Sequence, residues 1–130
     1  MLYNLFDYVD FKGNSIKKWT LSLLRSDQIK FRQKLDMLKI AGSDLPPKLL
    51  SRTNSAHIMK LRFIGKGKVQ LRPMLCKGPI DNDKEFTLLL GAQEKGFKLD
   101  PPNADHEAEK LRQQVIADPK ARRCVHERVS

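Results

Sequence analysis

Residues 57–96 read HIMKLRFIGKGKVQLRPMLCKGPIDNDKEFTLLLGAQEKG, and the pattern within them predicts three strands in succession. His57, Met59, Leu61 and Phe63 alternate with Ile58, Lys60, Arg62 and Ile64. That period of two places successive side chains on opposite faces of a half-buried strand. Gly65-Lys66-Gly67 supplies a turn, because glycine enters positive φ without a Cβ clash. Val69, Leu71 and Leu75 then alternate with Gln70, Arg72 and Cys76. Lys77-Gly78-Pro79 and Asp81-Asn82-Asp83 form a longer connection. Glu85 to Ala92 closes the set, and its unbroken Phe86 to Leu90 run predicts a central strand covered on both faces.

Charge separates this region from the rest of the chain. The net charge is +10, yet residues 45–80 hold Lys48, Arg52, Lys60, Arg62, Lys66, Lys68, Arg72 and Lys77 with no Asp or Glu. A solubilising surface mixes both signs. A one-signed stretch on adjacent strands is instead the electrostatic footprint of a polyanion-binding face, with Lys60, Lys66 and Lys68 among its contacts.

Outward from these strands, the chain predicts a single α+β domain over residues 1–130. Leu2 to Phe11 reads as an aromatic-rich strand ended by Gly13-Asn14-Ser15, with Ser15 as the helix N-cap. Ile16, Trp19 and Leu23 recur at helical spacing, and after Ser26-Asp27 a second helix runs to about Ile40 on a Phe31, Leu35, Leu38 stripe. Leu45-Pro46-Pro47 ends helix formation. Beyond the strands, Pro101-Pro102 leads to a helix from about Ala104 to Ile116, stopped by Asp118-Pro119. Residues 120–130 read as a basic tail carrying Lys120, Arg122, Arg123 and Arg128, with Arg122 and Arg123 as nucleic-acid contacts.

The composition excludes several function classes. No apolar run approaches the 18 residues of a membrane span. The N-terminus lacks the basic region and cleavage site of a signal peptide. Two cysteines without a C-x-x-C pair fit a reducing cytoplasmic setting. Gly65-Lys66-Gly67 matches neither a P-loop nor a dinucleotide fingerprint. His57, His106 and His126 are far apart and Cys124-x-His126 offers two ligands only, so no metal site is predicted. Cys76 reads as a small buried hydrophobe.

What remains is phosphoryl chemistry driven by charge. Attack of an RNA 2′-hydroxyl on its neighbouring phosphate requires a deprotonated nucleophile, a protonated leaving oxygen and stabilisation of the added negative charge. Lys60 and Arg62 share one strand face, and Arg72 joins them if the hairpin register permits. His126, whose side-chain type titrates near neutrality, is the candidate acid or base.

The order of elements and these motifs together resemble the phage-derived branch of the RelE/HigB-like toxins of type II toxin–antitoxin systems. The resemblance rests on YVDFKG at 8–13, on Lys60-Leu61-Arg62 against the family's "ELR" strand, and on Leu71-Arg72-Pro73 against its "YR" strand. EFTLLLGAQEKGFKL at 85–99 and RRCVHERV at 122–129 complete it. The sequence departs from the pattern at Ala92 to Lys95, where a loop aromatic is replaced, at Pro73, and in having no tyrosine after Tyr8. The resemblance implies a small, mostly antiparallel four-stranded sheet with two N-terminal helices packed on it and a C-terminal helix. It implies cleavage of mRNA, on the ribosome or free, without metal or cofactor, and neutralisation by an antitoxin protein of the helix-turn-helix kind. Carried over by position, Arg62 and Arg72 stabilise the reacting phosphate, and Lys95 and Lys98 contact RNA. A non-catalytic nucleic-acid or protein-binding module and a gyrase-directed, ParE-like toxin stand as the alternatives.

Overall fold

A computed structural model of the chain describes residues 2–127. Its main sheet runs in the order β10-β1-β7-β6-β3-β2, where β1 is Asn4–Tyr8, β2 Leu50–Arg52, β3 Met59–Leu61, β6 Met74–Lys77, β7 Glu85–Leu90 and β10 Arg123–Val125. All neighbours are antiparallel except β1 and β7, which run parallel from Asn4↔Glu85 to Asp7↔Leu88. A second sheet, β4-β5-β8-β9, holds Phe63–Ile64, Gln70–Leu71, Gln93–Lys95 and Lys98–Asp100.

The two sheets are built largely from three bent strands. Met59↔Leu75 and Lys60↔Met74 in the main sheet continue in the same register as Phe63↔Leu71 and Ile64↔Gln70 in the small one. The ladder breaks between them at Arg62, Arg72-Pro73 and Gly91-Ala92. Pro73 has no N–H to donate, though its carbonyl still accepts from Leu61 N at 3.1 Å. A bulge follows at Met74/Leu75. The four strands expected from the sequence are therefore present as β1, β7, β6 and β3, adjacent in that order. The expected count of four in one sheet is corrected to six and four. The additions at the edges of the main sheet, β2 and β10, are three residues each, too short to show a hydrophobic period.

Helices cover both faces. α1 (Ser15–Ser22) and α2 (Arg25–Ala41) bury Ile16, Phe31, Leu35 and Leu38 against Leu5, Leu61, Leu75, Phe86 and Leu88. α3 (Ala104–Ala117) buries Ala104, Ala108 and Val115 against Tyr8, Ile58, Met74, Cys76 and Leu89 on the opposite face. The alternation of Phe86 and Leu88 with Thr87 and Leu89 thus serves two cores, and β7 is buried through Leu89 as its apolar run predicts. The N-cap of α1 is Asn14 rather than Ser15, its side chain accepting from Lys17 N at 2.9 Å.

The stretch from residue 120 onward is no tail within the described residues. Asp118 caps a short helix α4, Pro119–Arg122, which leads into β10, and β10 pairs with β1 from Phe6↔Val125 to Tyr8↔Arg123. Arg128 lies outside the described residues. No helix among the described residues is long and apolar enough to cross a membrane.

Candidate nucleic-acid interface

The bend in the three strands creates the charged corner that the sequence points to. Because the register is continuous across the break, Arg62 and Arg72 stand opposite each other on adjacent strands, on the face where α3 lies further along. Lys60 sits two residues before Arg62 on that face, and Gln70 two before Arg72. Glu94, paired in register with Gln70, brings a carboxylate into the group. Its Oε1 is 3.0 Å from Lys60 Nζ and 3.7 Å from Arg72 Nε.

Arg72 is 3% exposed. Its guanidinium donates to Leu71 O at 2.9 Å and to Gln70 Oε1 at 3.1 Å, and its contact with Glu94 completes a structural anchor. Burial pushes its pKa below the usual value. Glu94 opposes that shift and Arg62 adds to it. Arg72 was expected to present its charge to a phosphate, and in the fold it instead orders the corner. Arg62 is half-buried, reaching Pro47 O at 3.4 Å.

Three buried side-chain atoms among the described residues lack a hydrogen-bond partner: Ser51 Oγ, Arg62 Nε and Arg72 Nε. All three belong to this corner, since Ser51 pairs with Lys60 across β2 and β3. Arg72 Nε still lies within ion-pair distance of Glu94, at 3.7 Å.

The small sheet extends the corner into an arm. The Gln70↔Glu94 register carries the 65–68 turn and the 96–97 turn to the same end of it. Lys66, Lys68, Lys95 and Lys98 are all exposed there. Phe97 is fully exposed between Lys95 and Lys98. An aromatic ring in that position offers a base-stacking surface that the sequence reading did not single out. Its signal was the Gly96-Phe97 turn between two lysines. Glu94 and Gln70 were missed too, and only the strand register identifies them.

The remaining predicted residues lie elsewhere. Arg123 forms a bidentate ion pair with Glu85 and stacks over Phe6 at 3.9 Å, which ties its charge into the main sheet away from the arm. Arg122 sits in α4, on the far edge of the main sheet. His126 follows β10, on the face covered by α1 and α2. Four strand spacings separate β10 from β3, about 19 Å, and the sheet itself lies between the two faces. The expected trio of Arg62, Arg72 and His126 is therefore not one centre. His126 instead places Nδ1 2.8 Å from Asp7 Oδ1.

Among the described residues no three His, Cys, Asp or Glu side chains gather as a metal site. Burial pushes the Cys76 thiol up to about 12. The Cys124 thiol is also raised, first by burial and then by Asp7 and Glu127. Neither has the lowered pKa of an activated nucleophile. No family model matches the chain, and no characterised protein or solved structure matches it either.

Proposed function

We propose that this chain is an RNA-directed toxin of the RelE/HigB-like kind, binding mRNA along the bent arm. The observation that carries the reading is the gathering of Lys60, Arg62, Lys66, Lys68, Lys95 and Lys98 on one arm anchored by Arg72. In this reading the turn lysines hold phosphates, Phe97 stacks on a base, and Lys60 with Arg62 meets the scissile phosphate. Their charges stabilise the dianionic transition state of 2′-hydroxyl attack. An acidic segment of a small antitoxin protein would compete for the same cations.

The test is single-turnover cleavage of mRNA, with and without ribosomes, on folded variants. Arg62→Ala should lower the rate about 10²–10³-fold, as loss of a preorganised charged donor does. His126→Gln should leave it unchanged. Wild-type activity in Arg62→Ala would overturn the assignment. Salt-sensitive RNA binding with no cleavage in the wild type would favour the non-catalytic module. That second reading draws on one observation, that Glu94, the corner's carboxylate, is already engaged by Lys60 and Arg72.

A further inference from the structure

The cavity between α2 and the β1–β10 edge plays no part in the RNA reading. Its volume is about 200 Å³, below the roughly 300–1,000 Å³ of sites for drug-sized ligands, so its occupant is small. Residues of α2 at helical spacing face it as one stripe, with Phe31 and Leu35 forming an apolar wall opposite Leu5 and Tyr3. Among the described lining residues, Arg32 and Lys39 from the same helix outnumber the carboxylate of Asp36.

His126 lines the cavity and is held rigidly. Its backbone N–H donates to Leu5 O at 2.9 Å. Its Nδ1 meets Asp7 Oδ1 at 2.8 Å, and Asp7 is 2% exposed. The other oxygen, Asp7 Oδ2, accepts from Asn14 Nδ2 at 2.8 Å, while Asn14 Oδ1 caps α1. A carboxylate accepts, so Nδ1 carries the proton and Nε2 is the ring nitrogen left for a ligand. Such support of an imidazole by a buried carboxylate and a third polar group fixes both tautomer and ring plane.

We propose that this cavity binds a small aromatic acid. The aryl ring lies against Phe31, Leu35 and Tyr3, the acid group meets Arg32 and Lys39, and a polar ring substituent hydrogen-bonds His126 Nε2. The site is independent of the RNA reading and stands if that reading fails.

The probe is 4-hydroxybenzoate, titrated against the full chain with benzoate and 4-hydroxybenzylamine as comparisons. Trp19, the single tryptophan, packs edge-on to Phe31 at 5.3 Å and reports occupancy by fluorescence. Saturable one-to-one binding of 4-hydroxybenzoate is expected, with the amine excluded. Arg32→Ala should weaken both acids about 10-fold or more, the size of one charge-assisted hydrogen bond. His126→Gln should weaken 4-hydroxybenzoate by a similar factor and leave benzoate unchanged. Arg32 is only half-buried on its helix, so that variant retains the fold, and matched melting temperatures verify it. Absence of saturable binding, equal affinity for acid and amine, or unchanged affinity in both variants would each overturn the proposal.

Discussion

Arg72, though charged, is almost wholly buried at the bend of the strands. The strand pattern places it beside Arg62, and it is there. Its guanidinium turns inward to Leu71 O, Gln70 and Glu94, just ahead of Pro73 where the ladder breaks. Arg72→Ala should therefore destabilise the chain by about 1–3 kcal/mol, the loss expected when buried partners go unmet. Denaturant unfolding checks this, with Arg62→Ala within about 1 kcal/mol of wild type as the contrast. Glu94 carries the complementary prediction. Removing its charge frees Lys60 and Arg72, so Glu94→Gln should tighten RNA binding several-fold. Glu107→Gln makes the same charge change on the exposed side of α3 and should have little effect. Equal tightening in both would reduce the effect to net charge. Cys76 supplies a pH test. Its thiol stays protonated to about 12 when folded, against 9.0 for the free group. Below pH 9 both states hold the proton and the group makes no difference. As pH rises from 9 towards 12 only the unfolded thiol ionises, so stability falls through that window. Cys76→Ala should flatten that part of the stability–pH curve.

The elements legible in the sequence were those with enough residues to display a period. The aromatic strand, α1, α2, α3 and the three central strands all follow from alternation or helical spacing, and β7 announced itself through Phe86 to Leu90. The bend did not, because it arises from three separate places coming into register: Arg62, Pro73 and Gly91. Gly91 can be tested alone. A methyl built on its Cα would run into the Trp19 ring of α1. Gly91→Ala should thus cost about 1–3 kcal/mol through overpacking and loosen the junction of β7 and β8. Unfolding midpoints in denaturant measure it, and an unchanged midpoint would mean that Trp19 has room to move. The cap of α1 was misplaced by one residue because Asn14 and Ser15 are both good caps. The choice falls to Asn14, which also reaches Asp7.

For the whole molecule, the charge excess in residues 45–80 was readable because it needs only a count. Its division was not. Lys66 and Lys68 reach the arm through the hairpin, whereas Arg72 is withdrawn into contacts with Leu71 O, Gln70 and Glu94. RNA affinity should fall steeply with salt, since each neutralised phosphate releases condensed counterions. Lys60→Glu and Lys68→Glu should weaken binding and flatten that slope, whereas Arg122→Glu on the far edge should do neither. A binding curve indifferent to salt would make the arm a solubility device. The pairing of β1 with both β7 and β10 has a consequence in time. A strand complete at residue 8 finds its first sheet neighbour only when residue 85 has been made. At synthesis rates of about 5–20 residues per second, that leaves it waiting roughly 4–15 s. During that interval Leu5 and Tyr8 have no sheet to join. The α1–α2 hairpin, present by residue 41, is the apolar surface available to shelter Leu5, whereas Tyr8 waits for α3. The Asp7–His126 contact closes later still, so in a nascent chain the basic arm can take shape before the cavity at the opposite edge exists.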